Sequence, residues 1–165
     1  MTFKCDHDDS KSKFYRSSNA ILGRLGRSAP ANVLLKLINT QGVPILLYGI
    51  PAVTLTEAEL RNFSRAYNSI FSKIFETFDK NVIACCQYYS GYLCFNRIYD
   101  MHRYNFLDKL INNGCIFHRS EIDQLDYRDY VLLRVKYKFT PTDTKAKFKS
   151  KIWNNFKDYI TSLSL

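Results

Sequence analysis

The residues with chemistry to offer are few, and their spacing excludes more than it supports. Two-metal nucleotidyl transfer needs paired carboxylates that hold two divalent ions ~4 Å apart. Asp8-Asp9 is the only adjacent acidic pair, and it lies in a polar N-terminal segment. Asp100, in Tyr99-Asp100-Met101, stands alone on a predicted helix. Cys5 with His7, Cys85 with Cys86, Cys94, and Cys115 with His118 are the candidate metal ligands. Only Cys115-x-x-His118 has ligand spacing, and no Cys-x-x-Cys accompanies it, so buried structural cysteines are the favoured reading. His102 lacks a Gly-x-Ser-x-Gly nucleophile to serve. Gly23 and Gly26 fit neither Walker nor Rossmann spacing. The sequence therefore predicts no catalytic residue, no metal site and no cofactor: it reads as a chain that is not an enzyme by itself.

Basic faces are the remaining signal. Lys13, Arg16, Arg24 and Arg27 fall together on one side of a predicted helix at about 100° per residue. From Ser10 to Thr56 there are six basic residues and no acidic one. A second cluster, Lys145, Lys147, Lys149, Lys151 and Lys157, lies near the end, with Lys147 and Lys151 on one side of a final helix. Such rows suit the phosphates of a nucleic-acid backbone, either an RNA/DNA duplex or a single strand. The bland alternative is a solvated helical face. The first cluster favours phosphate binding slightly; the second divides evenly.

The elements that would position these groups are helices. Six Gly and four Pro leave few breakers, and twelve Tyr with twelve Phe point to an aromatic core. A first helix is expected over about 11–25, with Ser10 as cap and Phe14, Ser18, Ile21, Leu22 and Leu25 on its apolar side. A second starts near Pro30, buries Val33, Leu34, Leu37 and Ile38, and kinks around Gly42 and Pro44. Ile45–Tyr48 suits helix or strand, and helix is favoured. Thr56 and Glu59 form a capping box for the third helix, whose arc runs through Leu60, Phe63, Tyr67, Ile70, Phe71, Ile74, Phe75 and Phe78. Shorter and longer helices follow over 81–89 and 96–111. The segment 125–139 is ambiguous, because 131–139 alternates like a strand. A last amphipathic helix over 144–163 carries Phe148, Ile152, Phe156, Tyr159 and Leu163 on one side. The fold class is thus mainly α: a disordered tail over 1–12, a helical bundle over 13–114 and a C-terminal helical appendage over 115–165.

The balance of 24 Lys and Arg against 15 Asp and Glu gives a charge of +9, which attracts polyanions. Five cysteines and a start without an apolar leader argue against a secreted disulfide framework. The longest apolar stretch, 43–53, is interrupted by Pro44, Gly49 and Pro51 and falls short of the ~20 residues needed to span a bilayer. The expectation is an intracellular protein, nuclear or cytoplasmic and not secreted, with no membrane partner. The sequence does not indicate a protein partner.

Several phrases stand in a recognisable order: Lys13-Phe14-Tyr15-Arg16-Ser17-Ser18-Asn19-Ala20-Ile21-Leu22, Leu35-Lys36-Leu37-Ile38, and Val43-Pro44-Ile45-Leu46-Leu47-Tyr48-Gly49. Leu60-Arg61-Asn62-Phe63, Lys73-Ile74-Phe75, Asn81-Val82-Ile83 and Tyr89-Ser90-Gly91-Tyr92 follow, then Arg97, Tyr99, Phe106-Leu107 and Leu110. This order resembles the region just after the catalytic palm of LINE-type (non-LTR) retrotransposon reverse transcriptases, over about residues 13–114. The resemblance implies a thumb-like clamp on a template–primer duplex, in a parent enzyme that copies RNA into DNA with magnesium held in its palm. By that likeness Lys13, Arg16, Arg24 and Arg27 contact phosphates, and the aromatic stripe is the bundle core. Only twelve residues precede Lys13, so fingers, palm and paired aspartates are missing from the sequence, as are an endonuclease domain and a cysteine–histidine knuckle. The expectation is a fragment without polymerase activity that binds nucleic acid independently of sequence. A helical protein-interaction module and an inert remnant are the alternatives.

Overall fold

The computed structural model describes residues 8–112, 124–140 and 143–163. Among them every regular element is helical and none is a strand, and seven helices form the bundle. They are α1 (Asp8–Leu25), a kinked helix made of α2 (Ala31–Leu37) and α3 (Val43–Leu47), α4 (Glu57–Phe75), α5 (Lys80–Tyr89), α6 (Phe95–Asn112), α7 (Gln124–Tyr137) and α8 (Lys145–Leu163). α1 begins three residues before the expected helix start, so residues 8–10, expected in the tail, belong to it. Asp8 and Asp9 occupy its first turn, where the helix dipole favours negative charge.

The kink between α2 and α3 has a local cause. Pro44 has no N–H to offer the Thr40 carbonyl. Residues Ile38–Gly42 widen into a π turn, and the Val43 N–H reaches back to the Ile38 carbonyl. Thr40 Oγ1 and Asn39 Nδ2 bond the carbonyls of Lys36 and Leu35 there, each at 2.8 Å. Asn39 Oδ1 then accepts from Tyr67 on α4 at 3.0 Å, which fixes the kink against its neighbour. Burial pushes the Tyr67 phenol up, so it stays a donor. Gly42 lies against α1: a Cβ there would stand 3.1 Å from Phe14 Cε2.

By length and composition, 31–52 is apolar enough to cross a membrane, longer than the 43–53 stretch read from the sequence. In the fold its apolar side lies in the core. Leu35, Ile38, Val43, Leu46, Leu47 and Ile50 are buried in one cluster with Phe14, Phe63, Tyr67, Ile70 and Phe71.

α4 carries the predicted capping box: Thr56 and Glu59 bond each other's backbone N–H. Its buried face is Phe63, Ala66, Tyr67, Ile70 and Phe71. The arc stops short of Phe78, which is 90 % exposed, because α4 ends at Phe75 and Glu76 turns the chain through a left-handed conformation. Phe63 stacks on Phe95 of α6 at 5.5 Å, joining the two ends of the core.

The ambiguous 125–139 segment is helix. Tyr130, Leu133 and Tyr137 are its buried residues, a spacing of three and four rather than two. The alternating residues Val131 and Val135 remain exposed. α7 closes with Lys138 in the left-handed region, φ 54°, and the Phe139 N–H bonds the Arg134 carbonyl at 2.9 Å. α5 closes the same way, with Gly91 at φ 80° and the Tyr92 N–H on Gln87. α7 and α8 do not hang free. Tyr104 of α6 stacks on Tyr130 and Phe148, and Tyr88 of α5 packs on Trp153 and Phe156.

Candidate nucleic-acid interface

α1 lies over the kinked helix and beside α4. Phe14 and Ser18 face inward, both fully buried. That orientation carries the other side into solvent, where Lys13, Arg16 and Arg24 are exposed. The row from Lys13 to Arg24 is roughly 16 Å long at the rise of an α-helix. Lys13 pairs with Asp9 at 2.7 Å but keeps 59 % of its side chain exposed. Such exposed i,i+4 pairs are worth about 0.3–0.5 kcal/mol and are easily exchanged for another anion. Arg16 and Arg24 have no partner among the described residues. Arg27 follows in the Gly26–Ser28 turn, and its side chain lies outside the described residues.

The second predicted cluster divides. Lys147 is exposed. Lys151 is spent on the fold: its Nζ donates to Asp143 Oδ2 at 2.5 Å and to the Lys138 carbonyl at 2.7 Å. It thus ties the left-handed end of α7 to the start of α8. Lys151 beside it, together with the Thr140 N–H, holds the Asp143 carboxyl at about 2, well below the usual carboxylate range.

Periodicity did not single out the arginines of α6. Arg103 is 1 % exposed. Its guanidinium meets the Pro51 carbonyl at 3.0 Å, Thr54 Oγ1 at 2.8 Å, Asp126 at 2.5 Å and Asp129 at 3.2 Å. The Arg103 Nε is buried without a partner among the described residues. A signal for this was present. Phe95, Tyr99, Arg103 and Leu107 recur every four residues, so the arginine occupies a core position of an apolar row. Asp126 and Asp129, three apart, supply its counter-charge from one face of α7. This is a carboxylate pair brought together by the fold, and an arginine already neutralises it.

Asp100 is likewise structural. It is buried and accepts from Lys136 Nζ and the Tyr137 hydroxyl, both at 2.6 Å. Burial, and then the Asp100 charge, push the Tyr137 phenol up. Arg97 donates to Asn155 and to Cys94 Sγ, with its guanidinium 4.7 Å from the Phe156 ring centre. Cys85, Cys86 and Cys94 are free thiols. No group of three metal-ligating side chains occurs among the described residues, and Cys5, His7, Cys115 and His118 lie outside them.

The chain matches no protein-family model, no curated protein and no solved structure.

Proposed function

We propose that the chain binds a nucleic-acid duplex through the exposed face of α1, independently of sequence, as a thumb-like piece of a reverse transcriptase would. The observation that supports this reading is the pair Arg16 and Arg24. Both project from one helix face, and neither is neutralised by a carboxylate among the described residues. Exposed guanidinium groups without internal partners are the groups that exchange counter-ions for phosphates. Contacts of this kind set position on a duplex without reading bases.

The test is affinity for a short RNA–DNA hybrid across a salt series. Each phosphate contact contributes a slope of about 0.9 in log affinity against log salt. Arg16→Ala with Arg24→Ala should therefore flatten the slope by roughly 2 and weaken binding equally for unrelated sequences. A shallow slope in both folded proteins would overturn the reading.

A second reading, a helical protein-interaction module, has its own observation. On α7, Tyr127, Leu132 and Val135 are 58 %, 54 % and 72 % exposed. Apolar side chains gathered on one helix favour a protein contact over a solvated surface.

A further inference from the structure

A cleft of about 380 Å³ lies between the middle of α4, one side of α5, the start of α6 and Tyr159 of α8. Small-ligand sites run from roughly 300 to 1,000 Å³. Its lining is one-sided. Asn68 Oδ1 accepts from Gln87 Nε2 at 2.8 Å, and Asn96 Oδ1 accepts from Ser64 Oγ at 2.5 Å. Both amide oxygens are engaged, while both amide NH2 groups have no partner among the described residues. Gln87, 1 % exposed, anchors Asn68 from below.

The charge is one-sided too. Lys80 stands exposed at the rim and has no acidic partner among the described residues. Arg97 also lines the cleft, and its hydrogen-bond partners are an amide, a carbonyl and a thiol rather than a carboxylate. No Asp or Glu is in the lining. Tyr159, 42 % exposed, also lines the cleft; its ring stacks on Phe156 at 6.4 Å, and the Arg97 guanidinium lies 5.2 Å from its centre.

Donors and positive charge without a carboxylate select an acceptor-rich anion. A half-open aromatic ring beside them selects one with a flat face. We propose that this cleft binds a nucleoside monophosphate. Lys80 takes the phosphate, the Asn68 and Asn96 amides donate to acceptors on the base edge, and the base lies against Tyr159. The shared chemistry belongs to a free mononucleotide and to the phosphorylated end of a strand. The site uses none of the α1 cations and does not rest on the duplex reading.

The test is titration of the full chain with AMP, adenosine, inorganic phosphate and a 5′-phosphorylated dinucleotide, following the Asn68 and Asn96 side-chain amide resonances. AMP should shift both saturably. Adenosine and inorganic phosphate should each bind at least tenfold more weakly, and Lys80→Ala should weaken AMP about tenfold, the loss expected for one charge-assisted bond. Tighter binding of the dinucleotide would assign the strand end; equal binding would assign the free nucleotide. Arg16→Ala with Arg24→Ala should leave AMP binding unchanged, so this site and the duplex face can fail separately. The proposal is overturned if AMP leaves both amides unmoved, if inorganic phosphate binds as tightly as AMP, or if a normally folded Lys80→Ala binds AMP like the parent.

Discussion

In α1 the cations stay outside the core. Phe14 and Ser18 fill the inward face, and Arg16 and Arg24 extend into water. In α6 to α8 the fold takes up three cations, while Lys147 and Lys157 stay exposed. Arg103 is buried on Asp126 and Asp129, Lys136 meets Asp100, and Lys151 joins Asp143 to the end of α7. The two regions draw on the same residue types. They differ in how they are closed: an apolar helix with a π kink closes the first, whereas α7 meets α6 with Arg and Asp facing each other. A cation count therefore overstates the binding surface, because a charge satisfied inside the fold is not offered to a ligand.

The largest effect should come from breaking the buried side of that contrast. Arg103→Ala takes a buried donor from the Pro51 carbonyl and from Asp126, and leaves Asp129 with Thr54 Oγ1 at 2.9 Å; it should cost about 3–5 kcal/mol in urea unfolding. Loss of less than about 1 kcal/mol would mean that α7 is held without this cluster.

A smaller effect should appear at the α7–α8 junction in acid. The Asp143 carboxyl is held at about 2, against an ordinary value of 3.8. Its contribution to stability is therefore fully present above about pH 4 and is lost as pH falls through 2. The fluorescence of Trp153, two residues past Lys151 on α8, should report loosening between those values. Lys151→Ala should remove most of that acid step and lower the melting temperature at neutral pH. A variant that keeps the acid step unchanged would separate Asp143 from Lys151.

The smallest effect on stability should come from the exposed side. Arg16→Ala and Arg24→Ala should each change unfolding free energy by no more than about 0.5 kcal/mol, since neither side chain has a partner among the described residues. In duplex binding the order should reverse, with these two variants losing affinity and Lys151→Ala keeping it. The same ranking in both measurements would erase the distinction between the two regions.

Much of the framework was legible in the sequence because its causes are local. The Thr56–Glu59 box and the kink at Gly42 and Pro44 each depend on neighbours within about one turn. The basic face of α1 was legible for the same reason, since helical period alone places Lys13, Arg16 and Arg24 together. Where local signals conflict, the sequence left the choice open or ran past the end of a helix. Residues 131–139 alternate, yet Tyr130, Leu133 and Tyr137 were drawn into the core at helical spacing. Phe78 fits the period of α4 but stands beyond its end.

The sequence by itself determined that the chain is helical, where most helices begin and end, and that its first helix keeps its cations on one side. Backbone hydrogen bonds and caps reach only a few residues, so those features are written in consecutive letters. Only the tertiary structure decided which charges remain available. Arg103 finds Asp126 and Asp129 more than twenty positions away, and Asn68 meets Gln87 across two helices. Those partners are chosen by how helices pack, and packing is a property of the whole chain rather than of any window within it.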